Sequence, residues 1–380
     1  MRVYKFQLKP TKFQEEKLNR TFTLCRRMYN KLLEELNNQK VIDRGQIQGI
    51  IPDIKICEPE FKDVYSKTLQ YECHRLFGNL KGLAQSKKKG NKVGRMRFKG
   101  DKWFKTICYN QSGYKLIDTG KHYNKLKLSK IGEINIRQHR IIEGNIKGIV
   151  IKRKVNTFEA HIITDGRYTI DSGEDIVGID LGVLSFLTTS KNDKIENPLC
   201  MNKSLVKLQH LHKKISRTKK GSKNRKRLCL QLQRVWEIID NQKKDFFHKT
   251  TTKLINSSKF IAVEKLNIKS MVKNIKGSYH NHRNILDSSW GMFLQMLKFK
   301  AECAGIKYVE ISPVNTSKQC SSCGKIKDMP TNIRDYNCSC GLSLDRDHNA
   351  AINILGKGLT SAGEDWLQSS MNQEATSFTA

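Results

Sequence analysis

The spacing of apolar residues divides the first half of the chain into a strand, a helical region and a group of short strands. VYKFQL near the N-terminus alternates apolar and polar positions, as a half-buried strand does, and Pro10 ends it. Thr11 and Gln14 have the spacing of a capping box, and apolar residues then recur at steps of three and four to about residue 37. The same spacing returns from about 60 to 86. Between 106 and 170, segments such as KLKLS, EINIRQ and GIVIKR predict a small β-barrel or sheet.

In the second half of the chain, predicted strands alternate with predicted helices. IVGIDLGVLSFLTTS predicts a strand, a tight turn and a returning strand, and a long helical region follows at roughly 203–258. KFIAVEKL then predicts a short buried strand, SSWGMFLQMLKFKAECAG a helix and IKYVEIS another strand. The tail after Lys357 is rich in Ser and Thr and poor in apolar residues, which favours disorder.

The charge balance indicates a polyanionic partner. The 380 residues include 70 Lys and Arg against 36 Asp and Glu, a formal net charge of +34. Nucleic acid is the usual partner of such an excess. A solvated basic surface, as in some ribosomal proteins, is the alternative, and it also points to RNA. We expect a soluble, intracellular protein without a membrane partner, because the sequence has neither a signal peptide nor an apolar run of 18 residues.

Two segments concentrate the basic residues. Residues 81–105 hold ten Lys or Arg and one acid, with Trp103 and Phe104 inside the run. Such a surface can bind phosphates and stack on bases, although a basic loop with two core aromatic residues fits equally well. Residues 203–227, the basic arm, hold eleven Lys or Arg and no acid, as a phosphate-facing helix would. The predicted nucleic-acid contacts are Lys87, Lys88, Lys89, Arg95, Arg97, Lys99, Lys219, Lys220, Arg225, Lys226 and Arg227.

Four of the eleven cysteines have the spacing of a zinc site. Cys320 and Cys323 form one pair, Cys338 and Cys340 a second, and fourteen residues separate the pairs. Two closely spaced thiol pairs at this distance can close a tetrahedral Zn²⁺ site. Histidine is absent between the pairs, which favours four sulfur ligands. We therefore expect one structural zinc ion, with a metal-free loop as the alternative.

Three carboxylates occur beside apolar residues, where burying a charge is costly unless the charge has a partner or a function. Asp180 lies inside a predicted strand, Glu264 follows the apolar residues IAV, and Asp347 precedes the helical run HNAAINIL. Any one of them alone could form a salt bridge or cap a helix. Three together can hold two Mg²⁺ ions, which activate water and stabilise the leaving oxygen of a phosphodiester.

These motifs resemble those of a known family. GIDLG, AVEKLNIKSMVKN and TSKQCSSCG…CSCG…DRDHNAAINI are similar to the three RuvC-type motifs and the zinc insert of TnpB (OrfB) proteins, which insertion sequences encode and which are related to type V CRISPR effectors. The resemblance extends over nearly the whole chain, since YKFQLKPTKFQEEKLNRTFTLCRRMYNKLL and GRMRFKG are also similar to family segments. It implies a fold of class α/β plus β-barrel. A RuvC-type, RNase H-like nuclease domain with an inserted zinc ribbon would follow a wedge β-barrel domain, itself interrupted by a helical recognition insert.

The resemblance also implies a division of the chain into domains. The expected segments are 1–10 for the first wedge strand, 11–95 for the recognition insert, 96–172 for the rest of the wedge domain, 173–311 for the nuclease domain with the basic arm, 312–345 for the zinc ribbon that binds target nucleic acid, 346–357 for the last nuclease helix and 358–380 for a disordered acidic tail.

The activity that the resemblance implies is RNA-guided cleavage of double-stranded DNA beside a short transposon-adjacent motif. The guide RNA would be transcribed from the transposon end. The protein would be located in the cytoplasm of a prokaryote, at the nucleoid. Asp180, Glu264 and Asp347 would be the catalytic residues and the ligands of two Mg²⁺ ions. Asp345 would not be a ligand, because the family's motif places the ligand immediately before His348 and Asn349.

Three other functions fit parts of the pattern. A nuclease-dead, RNA-guided DNA-binding repressor would usually lack a catalytic carboxylate, and all three are present. A zinc-ribbon nucleic-acid-binding protein would use its acids only structurally. A transposase acting on its own is the weakest alternative. The sequence leaves the oligomeric state, the guide and the cut positions open.

Overall fold

The structure is a computed structural model that describes residues 1–120, 122–155, 157–166, 170–268, 271, 279–330 and 333–363, without the side chains at 102, 111 and 279–282. The chain divides into two compact units, Met1–Arg167 and Tyr168–Ala380. Across the described ranges, every helix is too short or too polar to span a lipid bilayer.

The first unit is built on a seven-stranded antiparallel sheet. Its strand order is β2-β6-β7-β1-β5-β4-β3, so the N-terminal strand β1 lies in the middle, paired with β7 and β5. Tyr4, Phe6 and Leu8 alternate along β1 and are buried, as the alternation in the sequence predicts. The strands are β1 (Arg2–Lys9), β2 (Thr106–Asn110), β3 (Tyr114–Ile117), β4 (Asn124–Leu128), β5 (Gly132–Arg137), β6 (Ile146–Arg153) and β7 (Phe158–Thr164).

Helices fill the sequence between β1 and β2. The predicted capping box is confirmed, because the Gln14 amide donates to the Thr11 hydroxyl while the Thr11 amide donates to the Gln14 side chain. A 3-10 turn at Pro59–Asp63 precedes the last of these helices, so the second predicted helix begins later than expected. The helices are α1 (Lys12–Asn38), α2 (Arg44–Gly49), α3 (Ile51–Cys57) and α4 (Ser66–Lys88).

The second unit contains a five-stranded mixed sheet of order β10-β9-β8-β11-β12. β8 and β12 run parallel to β11, whereas β9 runs antiparallel to β8, which matches the predicted strand, turn and returning strand. The strands of this unit are β8 (Asp175–Leu181), β9 (Ser185–Thr189), β10 (Lys194–Glu196), β11 (Ser258–Glu264), β12 (Lys307–Ile311), β13 (Asp335–Asn337) and β14 (Ser343–Asp345). Its helices are α5 (Cys200–Lys203), α6 (Leu205–Ser216), α7 (Lys223–Ser257), α8 (Tyr279–Ser288), α9 (Trp290–Ala304) and α10 (Arg346–Ala362).

The two faces of the mixed sheet have different partners. Ile179 and Val263 lie in a core that also contains Trp290 and Phe293 of α9. The alternate residues of the same strands face α10. Gly178 allows the helix to approach closely, because a Cβ there would lie 2.2 Å from the carbonyl oxygen of Ala351. The start of α10 is thereby held close to the ends of β8 and β11.

The final helix is longer than the sequence predicts. We expected it to end at 357 and a disordered tail to begin at 358, but α10 continues to Ala362. Leu359 and Ala362 pack against the cluster that contains Phe260, and this apolar contact stabilises the extra turn. Gly363, with φ +88°, ends the helix. Residues 364–380 of the predicted tail lie outside the described residues.

Candidate metal centres and nucleic-acid interface

Asp180 and Glu264 are neighbours at the ends of two adjacent parallel strands. Ile179 on β8 is in register with Val263 on β11, so the next residue on each strand is also adjacent. Residues alternate between the two faces of a sheet, so both carboxylates lie on the face that α10 covers. Two acids more than eighty positions apart in sequence are therefore side by side, as the sequence motifs predict.

Asp347 occupies the first turn of α10, and Asp345 is the N-cap of the same helix. The Asp345 carboxylate accepts hydrogen bonds from the backbone amides of Asp347 at 3.0 Å and His348 at 3.1 Å, and from Lys194 Nζ at 2.7 Å. Partial burial works against ionisation of Asp345, but these donors outweigh it and lower its pKa. One oxygen of Asp345 thus caps the helix and the other binds Lys194, whereas Asp347 interacts with Asp180.

The electrostatics of the three acids fit a bound cation. Burial raises the pKa of Asp180 to about 8, and the negative charges of Glu264 and Asp347 add to this effect, while Arg346 opposes it. Burial also raises the pKa of Glu264, partly offset by the Thr316 hydroxyl and Lys357. Mutually repelling carboxylates are stabilised by a divalent cation, and oxygen donors are the ligands that Mg²⁺ prefers. We call Asp180, Glu264 and Asp347 the carboxylate site.

Two residues beside the carboxylate site have no clear signal in the sequence. Nη1 of Arg334 lies 3.5 and 3.4 Å from the two carboxylate oxygens of Asp347, and the Arg334 side chain is 45% exposed. The Thr316 hydroxyl donates to Oε1 of Glu264. Arg334 is one of several basic residues between the cysteine pairs, and Thr316 precedes the first pair by four positions. The nearest signal in the sequence is the resemblance of the acidic motifs to RuvC-type motifs, which indicates where the acids lie but not which residues contact them.

The four predicted zinc ligands come together. The sulfur atoms of Cys320, Cys323, Cys338 and Cys340 all lie within 4.8 Å of one another, with 3.7 Å between Cys320 and Cys340 and 3.5 Å between Cys323 and Cys338. A tetrahedral site with Zn–S bonds of about 2.3 Å needs sulfur atoms about 3.8 Å apart. The backbone amide of Cys340 lowers the pKa of Cys338 to about 6, whereas burial and hydrogen bonds with the other three thiols raise the pKa of Cys323 to about 11. Cys338 is therefore the thiolate of this pair in the absence of metal. This cysteine cluster could hold a structural metal such as zinc.

The carboxylate site is less compact than the cysteine cluster. In the described part of the chain, the four cysteines are the only group of three or more His, Cys, Asp or Glu whose ligand atoms all lie within 4.8 Å. The three carboxylates therefore do not surround one point as closely as the thiols do.

The first predicted basic segment is mostly exposed. Lys87, Lys88, Lys89, Arg95 and Arg97 are exposed at and after the end of α4. Lys99 is partly buried, with its ammonium group 5.8 Å from the centre of the Tyr29 ring.

The two aromatic residues of this segment differ in exposure. Trp103 is 83% exposed, as a base-stacking residue would be. Phe104 is only 3% exposed and lies under the Arg75 guanidinium at 4.6 Å. Phe104 is therefore a core residue, in agreement with the alternative interpretation.

The basic arm presents most of its predicted contacts to solvent. Lys219, Lys220, Lys226 and Arg227 are exposed at the turn between α6 and α7 and at the start of α7. Arg225 differs, because Nη1 donates to the carbonyl oxygens of Ile215 and Thr218. Its guanidinium therefore holds the turn together, and it is less available for phosphate than its neighbours.

Comparison with known proteins places the chain in a family. Residues 170–275 match the family model "Probable transposase" (OrfB_IS605), 1–39 the model "Helix-turn-helix domain" (HTH_OrfB_IS605) and 290–354 the model "Cas12f1-like, TNB domain". A "Putative RNA-guided DNA endonuclease" of Streptomyces pristinaespiralis is 29% identical, over 95% of this chain and 90% of that protein. "TnpB-like protein L770" of Acanthamoeba polyphaga mimivirus is 26% identical, over 93% and 73% of the two chains. The chain belongs to the TnpB family.

Other comparisons agree with membership of the TnpB family. "Putative RNA-guided DNA endonuclease InsQ" of Escherichia coli (strain K12) is 26% identical, over 94% of this chain and 92% of that protein. The Cas12f1 chain in a cryo-EM structure of the Cas12f1-sgRNA-target DNA complex superposes with a TM-score of 0.58 at 16% identity, covering 89% of this chain and 82% of that one. At this identity the structural likeness establishes a shared fold.

Proposed function

We propose that this TnpB-family protein is an RNA-guided DNA endonuclease, encoded by an insertion-sequence element, that cuts double-stranded DNA beside a transposon-adjacent motif. The convergence of Asp180, Glu264 and Asp347 at one end of the mixed sheet is the observation that carries this proposal. The relatives named as RNA-guided DNA endonucleases support it, since they align over almost the whole chain.

The chemistry follows from what the carboxylate site can hold. Two bound Mg²⁺ ions would supply an activated water and charge stabilisation at the leaving oxygen. Asp180, Glu264 and Asp347 would be their protein ligands, and β8, β11 and α10 hold these acids in place. Arg334 lies against Asp347 and carries a planar guanidinium that suits phosphate oxygens. We propose that it orients the scissile phosphate once Asp347 binds metal.

The proposed partners are a guide RNA from the transposon end and double-stranded target DNA. The net charge of +34 and the exposed basic residues after α4 and in the basic arm support binding to phosphate backbones. Trp103 supports stacking on a base in one of these nucleic acids. This function would place the protein in the cytoplasm of a prokaryote, at the nucleoid.

The finer architecture is proposed on the same grounds. The mixed sheet with β8 at its centre supports a RuvC-type, RNase H-like nuclease domain, and the cysteine cluster supports an inserted ribbon with one structural Zn²⁺. The helices between β1 and β2 support a wedge domain interrupted by a recognition insert at 11–95. The other segment boundaries predicted from the sequence remain part of this proposal, with the last helix extended to Ala362.

The experiment that tests the function starts from the RNA that copurifies with the protein. Sequencing this RNA identifies the guide, and a plasmid library carrying the matching target with randomised flanks is then incubated with the complex and Mg²⁺. We expect cleavage beside one short motif, lost on addition of chelator and in Asp180→Ala. Asp175→Ala is the matched control, because Asp175 lies on the same strand and pairs with Lys191.

Each alternative function gives a different result in the same assay. Guided binding without cleavage by the wild type would indicate a nuclease-dead repressor. Binding without a defined guide would indicate a zinc-ribbon nucleic-acid-binding protein, and joined DNA strands would indicate a transposase.

A further inference from the structure

One face of α10 binds the backbone of the segment that leads into the first cysteine pair. We call this segment, residues 313–321, the strap. Asn349, Asn353 and Lys357 follow one another at four-residue steps, so they lie on one face of the helix. All three bind main-chain atoms of the strap, so its course is fixed along two turns of α10.

The contacts cover the strap almost from end to end. Lys357 Nζ donates to the Val314 carbonyl at 2.6 Å, and the Asn353 amide to the Thr316 and Gln319 carbonyls at 2.9 and 2.7 Å. The Asn349 amide donates to the Gln319 carbonyl at 2.8 Å, while its oxygen accepts from the Ser321 amide at 3.0 Å. Asn349 is fully buried, so water does not compete for these bonds.

Within the strap, Thr316 reaches the carboxylate site. Its hydroxyl lies within hydrogen-bond distance of Oε1 of Glu264 and, at 3.1 Å, of the Pro313 carbonyl. A hydroxyl has one proton to donate, and an ionised carboxylate accepts more strongly than a carbonyl. Thr316 is 2% exposed, so its side chain is confined to this position.

The strap therefore contacts both metal centres. At one end Thr316 binds Glu264, and four residues later Cys320 contributes its thiol to the cysteine cluster. Asn349, two positions after Asp347, holds the residue that follows Cys320. The thiol of Cys320 and the hydroxyl that contacts Glu264 thus lie on one continuous backbone segment.

We propose that Thr316 is a positioning residue for Glu264, and that through the strap a filled cysteine cluster raises the affinity of the carboxylate site for divalent metal. This inference rests on the proposed function, because it assumes that Glu264 is a metal ligand. A glutamate side chain has three rotatable bonds, and the hydrogen bond from Thr316 selects one conformation before metal arrives. Partners of this kind typically change metal affinity by about 10–100-fold when they are removed.

Mn²⁺ binding to the purified full-length protein tests the role of Thr316 without reference to cleavage. Titration is followed by electron paramagnetic resonance, and the carboxylate site is defined as the Mn²⁺ binding that Asp180→Ala removes. We expect Thr316→Val to weaken this binding about tenfold or more and Thr316→Ser, which keeps the hydroxyl, to restore most of it. Thr360→Val is the matched control, because Thr360 is exposed on α10 about one turn beyond Lys357, and its hydroxyl donates to the Gly356 carbonyl of the same helix.

The outcomes separate the inference from the function on which it rests. If the wild type shows no Mn²⁺ binding that depends on Asp180, the proposed function itself fails. If it does, and Thr316→Val binds Mn²⁺ as the wild type does, only the positioning role is overturned. Circular dichroism and zinc content confirm that each variant is folded.

A double-mutant cycle tests the link to the cysteine cluster. Cys320→Ser with Cys323→Ser should weaken Mn²⁺ binding at the carboxylate site when Thr316 is present. If the effect passes through Thr316, adding Thr316→Val to this variant should cause little further loss. Losses that simply add would overturn the link, because independent sites behave additively.

Discussion

Two carboxyl groups in this protein, Glu72 and Asp180, have a pKa raised to about 8, yet their surroundings differ. Glu72 on α4 is fully buried in the first unit, and burial alone accounts for its raised pKa. The Arg75 guanidinium, with Nε 3.4 Å away, opposes the shift. Neither carboxylate oxygen of Glu72 has a hydrogen-bond partner among the described residues.

Asp180 shares its surroundings with other acids. Burial raises its pKa as it does for Glu72, but Glu264 and Asp347 add negative charge. An isolated buried acid is stabilised by one proton, whereas three converging acids are best stabilised by a cation of higher charge. A raised pKa alone therefore does not distinguish an isolated buried acid from a cluster of acids, and the identity of the neighbouring charges does.

The largest expected effect separates these two acids by their role in cleavage. Asp180→Ala, Glu264→Ala or Asp347→Ala should each lower single-turnover cleavage by about three orders of magnitude or more, because each removes a proposed metal ligand. Glu72→Gln should leave cleavage within about threefold of the wild type, since catalytic effects on this scale follow loss of reacting groups. Binding of guide RNA should persist in all four variants.

Asp345→Ala sharpens the assignment within the carboxylate site. It removes the N-cap of α10 and the bond to Lys194, so we expect a smaller loss of cleavage than in Asp347→Ala. Loss of cleavage at Asp345 with retention at Asp347 would show that the metal ligand is Asp345.

A second prediction is that the carboxylate site depends on the cysteine cluster, whereas Glu72 does not. Cys320→Ser with Cys323→Ser should release one zinc ion per chain, unfold the ribbon locally and lower cleavage about 10–100-fold. The mixed sheet should stay folded, because its core lies outside the ribbon. Elemental analysis with a cleavage assay checks this, and Cys303→Ser on α9 is the control. Normal cleavage by a zinc-free variant would contradict the dependence.

A third prediction concerns nucleic-acid binding, which should depend on neither Glu72 nor Asp180. Changing Lys219, Lys220, Lys226 and Arg227 to Gln should weaken nucleic-acid binding and flatten its salt dependence by about one unit for each lost phosphate contact. Arg225→Gln should instead loosen the turn between α6 and α7 and lower thermal stability. Filter binding over a range of salt concentrations measures the slope, and an unchanged slope would mean that this surface is only solvated.

The smallest expected effect is a dependence of stability on pH. The pKa of Glu72 and Asp180 in the folded state, about 8, exceeds the unfolded value of about 4. The stability that they contribute is therefore fully present below about pH 4 and is lost as pH rises through 8. We expect the melting temperature of the protein without Mg²⁺ to fall as pH rises across this range, because these two carboxyl groups then lose their protons in the folded state.

Mg²⁺ should distinguish the two contributions to this pH dependence. Mg²⁺ should reverse the fraction of the pH-dependent stability loss that is absent in Asp180→Asn, because the cation replaces the proton at the carboxylate site. The part removed by Glu72→Gln should not respond to Mg²⁺. A Mg²⁺ response that survives Asp180→Asn unchanged would contradict the distinction.

Local patterns in the sequence carry much of the fold and the site. The alternation around Asp180 and Glu264 predicts their strands, and the cysteine spacing predicts a cluster that the structure brings together. The contacts of Arg334 and Thr316 could not be predicted, because they form between segments whose approach depends on the whole unit.

Burial of individual charges was equally hard to predict. Glu72 lies on the apolar stripe of α4 with Leu69, Cys73 and Leu76, but the same spacing fits an acid at the edge of the stripe. The commitment of Arg225 to two carbonyls depends on the geometry of one turn, which composition does not record.

The central position of β1 has a consequence for synthesis of the protein. β1 is made before both of its partner strands, and it pairs with β5 and along most of its length with β7, which ends at Thr164. At roughly 5–20 residues per second, the ribosome needs on the order of ten seconds or more to reach that strand. Until then Tyr4 and Phe6, which pair only with β7, belong to a stretch of β1 without a partner strand. The nascent chain thus exposes an apolar strand with unpaired backbone groups early in synthesis. A ribosome-associated chaperone would bind the chain at this strand.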